Sequence, residues 1–481
     1  MANGTILTLG LYFALMLAIG VYAWRKSTAD ADDYMLGGRQ VGPAVTALAA
    51  GAADMSGWLM MGLPGALYAT GLAESWIAIG LFIGALLNWI IVAPRLREQT
   101  VSVGDAITIP EFLGKKFRDH SNILRLVSSA VIIIFFTLYS SSGLVAGGKL
   151  FQSAFGADYA TGLWITAGVV VAYVVMGGFL AVSLTDFVQG TIMVIALVGV
   201  PLVAWGSLDN GQSLGATLNA IDPNLLSFTQ GTTVLGIISA AAWGLGYFGQ
   251  PHIIVRFMGI KSVADIPTAR NIGMVWMAFC LLGALAIGLV GRAWATSNGM
   301  TIADPETIFV EMAKSLLSPA LYGFVLAAIL AAVMSTISAQ LLVTSSSLTE
   351  DVYRLFRNKN ASDKQIVLMG RLFVLLVAIV AMILAWNPDN SVLGLVANAW
   401  AGFGAAFGPV IILALTWPRM TRNGALAGMI VGAATVLIWT RLGWSSTLYE
   451  IVPGFLAAWI TIVMVSLMWQ TKAMGNSQSP H

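Results

Sequence analysis

Hydrophobic residues along this chain come in long continuous runs separated by short polar stretches. Thirteen runs hold about twenty apolar residues or more, the length of a helix that crosses a bilayer. Their approximate limits are 4–24, 41–69, 73–93, 123–148, 159–180, 186–206, 232–257, 271–296, 318–348, 366–386, 391–417, 424–441 and 448–470. No period-two alternation runs through them, which excludes a transmembrane β-barrel. The pattern predicts an all-α polytopic membrane protein of 13 transmembrane helices, forming a single domain over 1–481. The first run is followed by Arg25 and Lys26 and reads as a retained span, not a cleaved leader.

Two of the runs are interrupted from within. Gly51-Ala-Ala-Asp-Met-Ser-Gly-Trp58 places a carboxylate, Asp54, near the middle of the second run. A lone acid at that depth is costly, so it marks a site or a pathway. Ser56 and Gly57 follow it, and both are weak helix formers. A helix that loosens there frees backbone carbonyls beside a carboxylate, which suits a small hard cation. The seventh run carries Trp243-Gly-Leu-Gly-Tyr-Phe-Gly-Gln-Pro251. Its three glycines and proline are expected to unwind a second helix near mid-membrane. The two interruptions lie five runs apart, and an odd number turns the second unit of five upside down relative to the first. Paired broken helices in inverted units point to the binding site of a secondary transporter. The repeat units then cover about 41–206 and 232–417, with 4–24, 424–441 and 448–470 outside them.

Composition narrows the class further. Hydrophobic residues make up 58% and charged residues 10%, against about 25% charged in soluble domains. A net charge of +2 gives no reason to expect nucleic acid. Cys280 is alone, and His120, His252 and His481 are scattered, so the sequence offers neither a disulfide nor a metal cluster. No nucleophile and base stand together, which argues against an intramembrane enzyme. A sensor on the same scaffold would carry a signalling domain, and the short polar tail after Trp469 offers none. With the N-terminus outside, all but Lys149, Arg292, Lys314 and Arg441 of the 24 Lys and Arg residues fall on inner loops and span ends. The C-terminus then lies inside.

Other candidates are weaker by spacing alone. Ala332, Ser335 and Thr336 share one helix face at i, i+3 and i+4. Two hydroxyls and a carbonyl there would suit Na⁺, although such hydroxyls often bond back to their own helix. Trp58, Tyr139, Trp243 and Tyr247 fall near the middles of their spans. They would box a small amphiphilic solute, or simply pack helices together. Gly177-Gly-Phe-Leu-Ala181 followed by Asp186 reads as a tight turn and a helix-start charge at the inner face, with a gate as the other reading. Gly244-Leu-Gly-Tyr-Phe-Gly249 matches a dinucleotide fingerprint but lacks its strand–turn–helix setting. Gly143-Leu-Val-Ala-Gly-Gly-Lys149 nearly matches a phosphate loop but ends in Leu150 inside a span. Nothing else would hold ATP.

Tyr173-Val-Val-Met-Gly-Gly-Phe-Leu-Ala181 resembles the signature of the sodium:solute symporter family. Longer strings resemble its proline-carrying branch: Asp32-Asp-Tyr-Met-Leu-Gly-Gly-Arg39, Asp54-Met-Ser-Gly-Trp58, Glu74-Ser-Trp-Ile-Ala-Ile-Gly80, Trp243 through His252, Met334-Ser-Thr336, Trp400-Ala-Gly-Phe-Gly-Ala-Ala-Phe-Gly408 and Met420-Thr-Arg-Asn-Gly-Ala-Leu-Ala-Gly428. The resemblance implies a leucine-transporter-type inverted repeat of five plus five helices in a bacterial inner membrane. It implies Na⁺-coupled symport of L-proline, with membrane lipid as the surroundings and no obligatory protein partner. It maps Na⁺ onto Ala52, Met55, Ala332, Ser335 and Thr336, and coupling onto Asp54. It maps the solute onto Ser56, Gly57, Trp58, Tyr139, Trp243, Tyr247 and Pro251. Arg39 and Asp186 match positions linked to an inner gate. The loops around 207–231 and 297–315 and the tail depart from the family pattern, and they are expected to lie away from the mapped site.

Overall fold

The computed structural model describes residues 3–26, 30–208, 213–357, 360–387 and 392–476. Lys359 and His481 lie outside the described residues. Within them all regular structure is helical, apart from an isolated bridge between Val41 and Ile260. A lipid core offers no water to backbone groups, so helices that close their own hydrogen bonds are the solution. Ten helical stretches among the described residues are long and apolar enough to cross a membrane. The protein is an all-helical, multi-pass membrane protein.

The principal helices are α1 (Asn3–Lys26), α2 (Pro43–Asp54), α3 (Leu63–Thr70), α4 (Ser75–Leu87), α5 (Ile123–Phe155), α6 (Tyr159–Gly206) and α7 (Val234–Ala241). They continue as α8 (Pro251–Gly259), α9 (Ile266–Ser297), α10 (Pro319–Ser347), α11 (Asp363–Leu384), α12 (Val392–Thr416), α13 (Arg422–Arg441) and α14 (Ile451–Asn476). Side-chain caps start several of them. Thr233 accepts from Gly236 N at α7, Thr421 accepts from Gly424 N at α13, and Ser362 and Gln365 close a capping box at α11.

Two of the ten stretches double back at a glycine. In α6 the backbone leaves helical geometry at Gly178, with φ 53° and ψ −138°. Tyr173 Oη donates to the Met334 carbonyl at 3.3 Å, and Gln189 Nε2 donates at 2.9 Å to Tyr12 Oη, itself 3.6 Å from Met334 Sδ. A straight helix would hold residues 173 and 189 about 24 Å apart, so the chain must return on itself. Only glycine takes this backbone conformation without strain. Gly71, with φ 80° and ψ −156°, makes the same reversal between α3 and α4. Ala47 of α2 and Trp89, just past α4, consequently both lie against Gly273 of α9. The turn in α6 also corrects the sequence reading of Asp186. It lies about two turns inside the returning helix, fully buried, and not at a helix start.

α10 is the central post. Every residue from Val325 to Leu342 is buried, and α1, α2, α5, α6 and α11 all pack on it. α13 and α14 pair with each other and with α12 at the periphery.

Candidate functional site

The second apolar run does not form one helix. α2 stops at Asp54, and Met55 takes φ −75° and ψ 68°. Helical geometry resumes at Gly57, followed by one π-helical turn over Trp58–Gly62. Ser56 manages the break locally. Its N–H donates to the Asp54 carbonyl at 2.8 Å, and its hydroxyl accepts from Trp58 N at 3.3 Å. The π turn leads into Pro64, which supplies no N–H to the helix that follows.

The other predicted interruption takes a different form. Beyond α7 the chain tightens into a 3₁₀ segment over Ala242–Gly249, and Gln250 alone is extended before Pro251 starts α8. Proline restricts the residue before it to extended geometry, so the break falls at Gln250. The glycines serve mainly to admit neighbours. A β-carbon on Gly244 would collide with the Gly80 carbonyl, one on Gly246 with the Trp400 indole, and one on Gly249 with the Phe403 carbonyl. Gly80 and Gly84 of α4 are their counterparts, so α4 and the 3₁₀ segment meet backbone to backbone.

α10 brings its oxygen-bearing face to the first interruption. Ser335 Oγ donates to the Ala52 carbonyl at 2.8 Å and lies 3.1 Å from the Ala332 carbonyl. Thr336 Oγ1 bonds to the Ala332 carbonyl at 3.2 Å. Ala52, Ala332, Ser335 and Thr336 therefore converge, all of them buried. Among the described residues the Met55 carbonyl, just past the end of α2, accepts no hydrogen bond. The donor set fits Na⁺, because every group is a hard, neutral oxygen. A hydroxyl that turns its proton away presents a lone pair in place of the bond it makes here.

Beside these oxygens lies a narrow cavity lined by Asp54, Met55, Ser56, Trp58, Leu81, Tyr139, Trp243, Val396 and Trp400. Its volume of about 20 Å³ has room for about one water molecule. Tyr247 reaches across from the 3₁₀ segment and donates its hydroxyl to Asp54 Oδ2. Trp58 and Trp243 stack with ring centroids 5.4 Å apart, and Trp243 stacks in turn on Tyr449 at 5.2 Å. Beyond Trp58 opens a larger vestibule of about 430 Å³, which Gly57, Trp58 and Val396 share with Lys149, Asp304 and Glu306.

Several mapped residues sit elsewhere. Gly57 faces the vestibule, and Pro251 starts α8 without lining either cavity. Arg39 sits at a basic end of the molecule, donating to the Ala106 carbonyl at 2.9 Å between Asp32 and Asp105. Asp186 pairs with Arg256 at 3.0 Å, and Arg256 also donates to Ser183 at 2.9 Å. Neither Arg39 nor Asp186 lines the narrow cavity or the vestibule. The loop near 297–315 is corrected in the other direction. Asp304, Glu306 and Thr307 border the vestibule that Trp58 floors, because Gly65 lets that loop lie directly on α3. Sequence reasoning missed Trp400 as a brace. Its indole N–H donates to the Trp243 carbonyl at 2.8 Å, and its own carbonyl accepts from Gln250 Nε2 at 3.1 Å. Tyr449 was equally invisible, lying outside both repeat units. The glycine spacing Gly80-x-x-x-Gly84 was a readable signal for the close packing.

Interrupted membrane helices around a small oxygen-lined pocket define the class of secondary transporters. The sequence profile of the sodium:solute symporter family matches residues 34–432, and the chain belongs to that family. It is 58% identical over 458 residues to the high-affinity proline transporter PutP of Bacillus subtilis (strain 168), covering 95% of this chain and 97% of that one. It is 53% identical over 474 residues to sodium/proline symporter 2 of Staphylococcus saprophyticus, covering 96% and 92%. A Na⁺-coupled sialic acid symporter solved in a substrate-bound outward-open state shares the fold, with a TM-score of 0.83, 20% identity and coverage of 97% and 98%.

Proposed function

We propose that this protein carries L-proline into the cell together with Na⁺ by alternating access. The observation that carries the reading is the meeting of the Ser335 and Thr336 face with the Ala52 carbonyl, where α2 breaks beside Asp54. Two relatives that match over nearly their full lengths are named for proline, one of them also for sodium. Na⁺ binds to the carbonyls of Ala52, Met55 and Ala332 and the hydroxyls of Ser335 and Thr336. Binding fixes the loosened segment, and Asp54, held by Tyr247, couples that ordering to the second broken helix. Proline then lies against Ser56, Gly57, Trp58, Tyr139, Trp243 and Tyr247, with Pro251 setting the break beneath it. Trp58 and Trp243 close over the solute, and the ends around Arg39 and Asp186 open to release it.

We read thirteen crossings: the ten stretches, one more from each of the reversals at Gly71 and Gly178, and one formed outside them by α7 with α8. Crossings two to six and seven to eleven then form the inverted units within one domain. The positive-inside rule puts the basic end in the cytoplasm of a bacterial cell, the N-terminus outside and the C-terminus within. Coupling is energetically sufficient. One charge crossing 100 mV supplies about 2.3 kcal/mol, and a tenfold Na⁺ gradient about 1.4 kcal/mol. Together they support accumulation of roughly several hundred-fold.

The test is uptake of radiolabelled proline into proteoliposomes with an inward Na⁺ gradient or a matched choline gradient. Na⁺-dependent accumulation is expected. Equal uptake under both gradients, in a preparation that binds proline, would remove Na⁺ coupling from the reading.

A further inference from the structure

Asn88 is a lone amide in the apolar run 73–93. It follows α4 directly and opens a π-helical turn over Asn88–Val92, a local form frequent at functional sites. The side chain is buried, and its Oδ1 meets no hydrogen-bond donor among the described residues. Buried amides are ordinarily paired with protein or with ordered water. Asn88 lines a small cavity set among α2, α4, α8 and α9, with a volume of about 20 Å³. Asp54 and Met55 line it as well, so the end of α2 stands between this cavity and the narrow one beside Trp58. Tyr247 and Trp89 are further wall residues. Trp89 Nε1 lies 3.7 Å from where a β-carbon on Gly273, also of the wall, would stand.

Tyr247 donates to Asp54 Oδ2, and no described hydrogen bond reaches Oδ1. A carboxylate oxygen and an amide oxygen are both acceptors and cannot bond each other. One water donates to both, with the Trp89 N–H within reach as a donor to it. The cavity has the size of about one water, and a buried water needs two to four such partners. A metal cation would need more oxygens than this wall offers, since Met274 and Met277 fill the rest of it. We propose that Asn88 is a positioning residue, holding Asp54 through a single buried water on the side of α2 away from the narrow cavity. The carboxylate is then fixed at both oxygens, and with it the shape of the break at Met55. The role in coupling rests on the transport reading above, whereas the water does not.

Two variants of the full-length protein test it. Asn88→Leu removes the amide. Gly273→Ala reaches the same water without altering a polar group. Its β-carbon would stand 3.6 Å from the Ala47 carbonyl and 3.7 Å from Trp89 Nε1, ordinary contacts, so the methyl enters the cavity without strain. Gly273 lies within α9, where alanine is the better helix former. Each variant should raise the Na⁺ concentration for half-maximal proline uptake about tenfold, as loss of one hydrogen bond to a charged group would. The maximal rate, and the half-saturating proline at saturating Na⁺, should hold. The unfolding midpoint of Gly273→Ala should not fall, and the double variant should match either single one, because both remove the same water. An unchanged Na⁺ dependence in Gly273→Ala, a lowered midpoint there, or effects that multiply in the double variant would overturn the proposal. If Asn88→Leu does not fold, Gly273→Ala carries the test alone. A structure at a resolution that shows ordered water should place one water between Asp54 and Asn88, and none there in Gly273→Ala. A dry cavity, or an ion recognised by contacts shorter than hydrogen bonds, overturns the proposal whatever uptake shows. Proline uptake by the unaltered protein that ignores Na⁺ strikes the transport reading instead, and the water then stands or falls on its density.

Discussion

Between Asp54 and Trp58 the backbone leaves the helix at Met55 and Ser56, whereas between Ala241 and Pro251 it tightens to 3₁₀ and leaves only at Gln250. The first break is held by polar atoms of its own segment, and it turns carbonyls and a carboxylate toward α10 and the cavity. The second is held from outside, by Trp400 bonding to the Trp243 carbonyl and by α4 pressed against Gly244. It contributes rings and one phenol hydroxyl, and no charge. Matching places in the chain thus carry unlike work. In the proposed function the first interruption holds the ion and the second shapes the solute pocket, and the second also receives neighbouring backbones.

The sharpest way to break this contrast is Ser335→Ala with Thr336→Ala. Two oxygens lost to a cation, at about 1.5 kcal/mol each, should raise the Na⁺ concentration for half-maximal uptake roughly a hundredfold. The proline dependence at saturating Na⁺ should hold. A proline dependence that shifts equally would erase the division between the two segments. Next, Gly244→Val should lower the thermal unfolding midpoint of the purified protein, through overpacking worth about 2 kcal/mol. Its Na⁺ dependence should stay near that of the unaltered protein. A midpoint that does not move would show that α4 can retreat from the 3₁₀ segment. Tyr247→Phe removes the only bond that ties the two interruptions through Asp54 among the described hydrogen bonds. It should weaken the Na⁺ and proline dependences together, each about tenfold, and a shift in one alone would uncouple them. The smallest effect is expected for Trp243→Phe, which weakens the stack on Trp58 and Tyr449 by about 0.7 kcal/mol. Uptake assays should show about a threefold rise in half-saturating proline and no change in Na⁺ response.

Much of this was legible beforehand. Asp54 announced itself because a carboxylate in an apolar run has no bland solvation to fall back on. Ser335 and Thr336 shared a face by helical period alone. Pro251 marked the second break through its missing N–H. The role of the three glycines near it was misjudged, because sequence shows flexibility where the structure uses the absence of a side chain. Asp186 looked like a helix-start charge because its distance from the turn at Gly178 was not readable from the Gly pair. The loop near 304–306 looked remote because its approach to α3 depends on Gly65, some 240 residues earlier in the chain.

By itself the sequence determined that the chain is a bundle of membrane helices, where two of them fail, and which polar groups stand inside the apolar runs. These follow from local rules, since lipid forbids unpaired backbone and each run must meet the bilayer thickness. Only the tertiary structure decided that Ala52 meets Ser335, that Tyr247 reaches Asp54, and that Trp400 and Tyr449 brace Trp243. Those pairs join residues as far apart as Ala52 and Ser335. Their meeting depends on how separate helices are placed against one another, which no pattern within one run states; at the second interruption Gly246 admits the Trp400 indole.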